Sequence, residues 1–204
     1  MQHHFQLNLH DLMTVSPVSV SDYLRHPPRL ETARLILRQI RMRDAEDIYQ
    51  WSSDERVARY VLWEPHQSIY DTRDYIRYIR SAYRHRLPSS WAIELKETGR
   101  VIGTIGFMWI SNENRSAEVG YSMSASFWGQ GLMPEALHRL LDFSFESLKL
   151  NRIEAQYDTR NPASGRVLEK CGMRTEGILR QRIFNKGEYI DVCICSILSS
   201  DKQQ

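Results

Sequence analysis

The stretch at residues 127–137, Phe-Trp-Gly-Gln-Gly-Leu-Met-Pro-Glu-Ala-Leu, constrains this chain more than any other. It follows an apolar segment at 116–123 and leads directly into a helical pattern, so the backbone must turn from strand to helix within a few residues. Gly129 and Gly131 carry no Cβ and let successive N–H groups turn towards one point, and the helix that begins near Met133 adds its positive end. Such a corner suits a phosphate or pyrophosphate. The third glycine of a dinucleotide loop is missing, and Leu132-Met133 stands where a nucleoside-triphosphate loop has Gly-Lys-Ser/Thr. Taken alone, a tight turn without any ligand fits these residues equally well.

A second segment adds weight: Arg160-Asn161-Pro162-Ala163-Ser164-Gly165-Arg166-Val167-Leu168-Glu169-Lys170-Cys171-Gly172-Met173. With the glycine turn, with Glu31-Thr32-Ala33-Arg34-Leu35-Ile36-Leu37-Arg38 and with Ala117-Glu118-Val119-Gly120-Tyr121, it resembles the GNAT superfamily of acetyl-coenzyme A dependent N-acetyltransferases. Within that superfamily the chain is most similar to the RimJ/RimL-like branch, the ribosomal-protein-alanine N-acetyltransferases, over about residues 30–198.

Size bounds the architecture. At 204 residues, 42% hydrophobic and 25% charged, the chain suits one globular domain with a substantial core. The expected organisation is a poorly ordered arm at 1–29, one domain at 30–198 and a tail at 199–204, with a short helix inside the arm around Ser21 to Arg25. A net charge of +2 does not call for nucleic acid. Cys171, Cys193 and Cys195 form no C-x-x-C, and the early His3, His4 and His10 lack a partner carboxylate, so neither a disulfide framework nor a metal site is expected. With no membrane-length apolar run and no signal-peptide pattern, the expectation is a cytoplasmic protein.

Read in order, the periodicities give a strand at 34–40, helices at 44–53 and 54–60, a helix to about Arg86, and a hairpin of strands at 91–96 and 101–110. A strand at 116–123, a helix at 132–148 and a short strand at 153–157 follow. Asn161 as cap, Pro162 and Gly172 then bracket another helix, and strands at 174–184 and 188–198 close the chain. Arg73, Arg77, Arg80 and Arg84 form one stripe of the long helix, either a solvated face or a docking surface. The fold class is α+β: about seven strands in a central, mixed and mostly antiparallel sheet, with helices on both faces. The resemblance further implies a single GNAT-like domain in which the strands at 116–123 and 153–157 splay into a cofactor cleft.

For chemistry, Glu118 is the candidate base. It lies within a central strand, with Gly120, Ser122 and Ser124 on its face and Ala117, Val119, Tyr121 and Met123 opposite. A structural carboxylate paired with an arginine is the competing reading, and Glu135 is the reserve candidate. The resemblance implies acetyl-CoA as co-substrate, contacted by Tyr121, Met123, Trp128, Gly129, Gln130, Gly131, Leu132, Met133, Asn161 and Ser164, with Ser164 also catalytic. Two positions depart from the family pattern. Ser126 stands where a Gln or Arg usually helps the pyrophosphate, and Leu168 stands where a tyrosine acid is often found, which leaves Ser164 or water to protonate the thiolate.

The implied reaction moves an acetyl group to a primary amine by direct attack on the thioester, the first expectation being the N-terminal α-amine of a protein such as a ribosomal protein. The alternatives are a small amine (polyamine, amino acid or antibiotic) or a non-catalytic acyl-CoA or RNA-associated module. Monomer and homodimer are both compatible with the sequence.

Overall fold

The computed structural model describes residues 20–203. One sheet of eight strands runs in the order β1-β2-β3-β4-β5-β6-β8-β7. The strands are β1 Leu30–Glu31, β2 Leu35–Gln39, β3 Ser90–Leu95, β4 Val101–Ser111, β5 Ser116–Met123, β6 Arg152–Asp158, β7 Arg174–Asn185 and β8 Glu188–Leu198. Among the described residues only β5 and β6 pair in parallel, and the other pairings are antiparallel. The helices are α1 Val20–Arg25, α2 Ala45–Ser52, α3 Glu55–Ala58, α4 Ile69–His85, α5 Leu132–Glu146 and α6 Pro162–Lys170.

Alternation along the strands divides the core into two layers. Leu35, Leu37, Trp91, Ile105, Ala117 and Val119 face α5 and its Leu137, Leu140 and Leu141, with Leu168 of α6 in the same layer. On the other side, Ile40, Ala92 and Val101 meet Ile48 and Trp51 of α2 and Ile76 and Ile79 of α4. In α4, Asp71 accepts from the backbone N–H groups of Gln67 and Ser68 at 2.8 and 3.0 Å, which satisfies donors that the first turn leaves unpaired. The arginine stripe lies outside this packing, where Arg77 pairs with Asp74 and Arg73 lies over the Tyr70 ring.

The expected α+β sheet of about seven strands is present with eight, Leu30–Glu31 adding an edge pair too short to show any period. Two other expectations change. Residues 20–29 are not a loose arm: Val20 and Leu24 of α1 are buried in the main core, and Trp91 Nε1 donates to the Pro28 carbonyl at 2.9 Å. The expected arm otherwise lies in residues 1–19, outside the described residues, as do His3, His4 and His10. The tail is docked as well, since Ser199–Gln203 forms a 3-10 turn whose Asp201 accepts from Leu198 N–H at 2.9 Å and whose Lys202 pairs with Asp142.

One buried ionic group spans three elements. Arg38 of β2 binds Asp44 through two bonds of 2.8 and 3.0 Å and Glu94 of β3 through one of 2.5 Å. All three side chains are largely withdrawn from water, at 8%, 4% and 18% exposure. Removing the cation would strand two carboxylates, so Arg38→Met is expected to lower unfolding stability in urea by about 3–5 kcal/mol. A loss below about 1 kcal/mol would show that the group is hydrated and contributes little.

Candidate active site

The sheet forks where the parallel pairing of β5 and β6 ends. Ser116, Ala117 and Glu118 pair with Arg152, Ile153 and Glu154, and nothing links residues 119–123 of β5 to residues 155–158 of β6. Beyond that point β5 stays with β4 as far as Gly103↔Met123, and β6 stays with β8 as far as Asp158↔Val192. The gap is lined by backbone groups that have no ladder partner across it, which an elongated ligand carrying amides can satisfy.

At the end of β5 lies the glycine turn. Gly129 and Gly131 have φ of 76° and 73°, a left-handed conformation that favours glycine. A Cβ on Gly129 would meet nothing within 4 Å, so its requirement is the dihedral angle and not space. The N–H groups of Gly129, Gln130 and Gly131 donate to no backbone acceptor among the described residues. Those of Leu132 and Met133 lie in the first turn of α5, ahead of any intrahelical acceptor. This donor set fits a pyrophosphate. The Leu132, Met133 and Met123 side chains are buried, so these residues offer only their main chain. Trp128 is 51% exposed beside the turn, with its Nε1 donating to the Met123 carbonyl at 2.8 Å. The Gln130 side chain donates to the Ser126 carbonyl at 3.1 Å.

Arg34, about a hundred residues earlier in the chain, anchors this turn. Its Nη1 donates to the Gln130 carbonyl at 3.0 Å, and its Nε and backbone N–H reach Glu135 at 2.7 and 2.9 Å. Thr32 donates to the same carboxylate at 2.6 Å. Burial alone would raise the Glu135 carboxyl, but the bonds from Thr32 and Arg34 hold it below the usual carboxylate range. Glu135 is therefore a structural anion, and the reserve candidate for the base is set aside.

On the α5 and α6 face of the fork, Tyr121 Oη lies 2.9 Å from Ser164 Oγ and 3.2 Å from the Ser164 carbonyl, bridging β5 to α6. Burial pushes the Tyr121 phenol well above its ordinary value, so it remains a protonated donor. Asn161 caps α6, its Oδ1 accepting from Ser164 N–H at 3.3 Å. Tyr157 of β6 closes on the same turn: a Cβ at Gly165 would come within 2.7 Å of its hydroxyl, so only glycine permits this approach.

Glu118 faces the other side. Its Oε2 accepts from Trp109 Nε1 at 2.6 Å and its Oε1 from Gln156 Nε2 at 3.0 Å. The competing reading, an arginine partner, is replaced by two neutral donors that hold the carboxylate in one orientation. Simple alternation along β4 would hide Trp109, because Phe107 and Trp109 should share a face. A β-bulge between them turns Trp109 onto the side of Glu118 instead. A cavity of about 350 Å³ opens here, lined by Trp109, Glu118, Glu154, Gln156, Leu179 and Arg182 among others.

Cys171 lies at the end of α6, with its Sγ 3.2 Å from His138 Nδ1. Burial pushes its thiol up to about 12, which leaves no thiolate for covalent catalysis near neutrality. Among the described residues no group of three or more His, Cys, Asp or Glu side chains could hold a metal, and no helix is long and apolar enough to cross a membrane.

A mixed sheet forked beside a glycine-capped helix is the architecture of an acyl-CoA-dependent N-acetyltransferase, and the comparisons with known proteins agree. Residues 34–174 match the acetyltransferase (GNAT) domain family. The chain is 38% identical over 172 residues to the uncharacterized N-acetyltransferase p20 of Bacillus licheniformis, covering 84% of this chain and 97% of that protein. A ribosomal-protein-serine acetyltransferase of Escherichia coli is 36% identical over 92 residues, covering 45% of this chain and 51% of that one. Among solved structures, Mycobacterium smegmatis RimJ in complex with CoA-disulfide superposes with a TM-score of 0.77 at 26% identity, covering 88% of this chain and 91% of that one. The chain belongs to the GNAT acetyltransferase family.

Proposed function

We propose that this N-acetyltransferase acts on the terminal α-amine of a protein, a ribosomal protein being the favoured target. The observation that carries the reading is the carboxylate of Glu118, clamped by the neutral donors Trp109 and Gln156 at the fork and facing a small cavity whose other carboxylate, Glu154, is engaged by Arg152. A terminal α-amine with a pKa of roughly 7.7–8.0 needs one modest base near neutrality, whereas a lysine amine at about 10.4 needs far more assistance. The family comparison with the ribosomal-protein-serine acetyltransferase supports the class of acceptor.

In this reading bound acetyl-CoA supplies the reactive thioester, and the protein supplies placement and electrostatics. The N–H groups of Gly129, Gln130, Gly131, Leu132 and Met133 hold the pyrophosphate, with Arg34 keeping the turn in shape and Trp128 covering one side. The main chain of Tyr121 and Met123 and the side chain of Asn161 receive the pantetheine amides along the gap. Glu118 removes a proton from the incoming ammonium, directly or through one water. As the new C–N bond forms and the C–S bond breaks, the proton shed by the attacking nitrogen passes through Ser164 Oγ, held in place by Tyr121 Oη, to the departing sulfur, while the proton taken up by Glu118 is released to solvent. Leu168 in place of a tyrosine is then no obstacle.

A thiol-release assay with acetyl-CoA and a panel of acceptors tests the reading. Peptides with a free α-amine should exceed both Nα-blocked lysine peptides and spermidine in kcat/KM by at least about tenfold, the order set by the fraction of free amine and by the single base. Spermidine or an aminoglycoside outrunning every peptide would overturn it.

A further inference from the structure

The cavity beside Glu118 continues into a second, more open groove of about 750 Å³ lined by Ile178, Leu179, Arg180, Gln181, Arg182 and Asp191. Leu179 and Arg182 line both spaces, so the two form one path that leads away from the base along β7. This strand is the free edge of the sheet, and its ladder with β8 is broken between Leu179↔Val192 and Ile183↔Ile190. The break lifts Arg180, Gln181 and Arg182 out of the ladder, with Gln181 at φ 48°. Asp191 accepts from the Gln181 N–H at 2.7 Å, which ties its carboxylate to the bulge.

The charges along this path are unequal. Glu154 is engaged by Arg152 at 2.9 Å, a guanidinium it shares with Glu176, and Asp191 is turned towards the backbone. Arg180 and Arg182 are exposed, and among the described residues neither forms an ion pair. Two uncommitted guanidinium groups therefore stand along the exit from an amine site, one of them inside the same small cavity as Glu118. A guanidinium matches a carboxylate in shape as well as in charge. An extended chain advances about 3.3–3.6 Å per residue, so side chains within the first few residues after the amine fall beside these arginines.

We propose that Arg182 and Arg180 select acceptors whose amine is followed within two or three residues by an acidic side chain, and that they disfavour polycations. The proposal rests on the α-amine reading above. It makes the edge of β7 the path of the acceptor chain, with the amine at Glu118 and the acidic side chain at the arginine pair.

The test compares peptides of one length and one terminal residue that carry Asp, Gln or Lys at the second and third positions, with spermidine as the polycation. Initial rates give kcat/KM for the wild type and for Arg180→Glu with Arg182→Glu, and calorimetric binding of coenzyme A shows that the variant is folded. The wild type should prefer the Asp peptide over the Lys peptide by at least about tenfold, mostly through KM, and 0.5 M salt should shrink the preference. The double variant should reverse the order. Fluorescence anisotropy of the labelled, Nα-acetylated product peptides should follow the same ranking without turnover. An identical ranking in wild type and variant overturns the proposal and leaves the α-amine reading intact. Spermidine as the best wild-type acceptor removes that reading, and this proposal with it.

Discussion

Glu118→Gln is expected to lower kcat by about 10² to 10⁴ while leaving coenzyme A affinity near the parental value, because a positioned acid–base group contributes about that much to the chemical step alone. Glutamine keeps the size of the side chain but offers one acceptor oxygen where Glu118 offers two, so either Trp109 or Gln156 then faces an NH₂ group. The lost rate should return in part at high pH. As pH rises past roughly 8, the acceptor α-amine arrives already deprotonated and the base is no longer required, so the variant's rate climbs where the parent's has levelled. Thiol release between pH 6 and 10, with saturating acetyl-CoA and peptide, is the measurement. Parental kcat at neutral pH in the variant would remove Glu118 from the mechanism and leave solvent to accept the proton.

Gly131→Val should weaken coenzyme A binding by at least about tenfold, and by more if the turn rearranges. Valine at φ 73° costs at least the roughly 1–2 kcal/mol of a left-handed L-residue, and a branched Cβ makes that conformation worse. Relief by rotation to negative φ turns the N–H groups of Gly131 and Leu132 away from their common point. Space is not the cause, since the nearest atom to an added Cβ is Arg34 Nη2 at 3.7 Å, an ordinary contact. Calorimetry with coenzyme A checks the loss, with circular dichroism confirming the fold. Unchanged affinity would mean that the pyrophosphate lies elsewhere.

Much of this was legible in the sequence, and the remainder was hidden for identifiable reasons. The strands Ser116–Met123 and Glu188–Leu198 fall on their expected bounds, because alternation and clear turn residues define both. Asn161 and Pro162 marked the start of α6 for the same kind of local reason. The α1 helix was partly visible, but its burial was not, since the bond from Trp91 to the Pro28 carbonyl joins residues far apart in the chain. The role of Arg34 at the glycine turn is hidden in the same way: its sequence neighbours mark only a strand, and its partners Gln130 and Glu135 come within reach only once β2 and α5 are packed.

The environment of Glu118 is the most instructive case. Its strand and face were readable from alternation, but its partners were not, because the bulge between Phe107 and Trp109 shifts the pattern by one residue. Gln156 reaches the carboxylate only because β6 lies alongside β5 up to the fork. Arg180 and Arg182 read as ordinary polar positions of a strand, and it is again a break in the ladder that places them along the acceptor path.

Tandem mass spectrometry of one acceptor peptide tests the central claim most directly. The peptide carries a free α-amine, an aspartate near the terminus and one lysine further on, and it is incubated with acetyl-CoA and the enzyme near neutral pH. The account predicts a single acetyl group located by fragmentation on the α-amine, with one coenzyme A thiol released per modified peptide. Acetylation of the lysine side chain, or thiol release with the peptide unmodified, would contradict it.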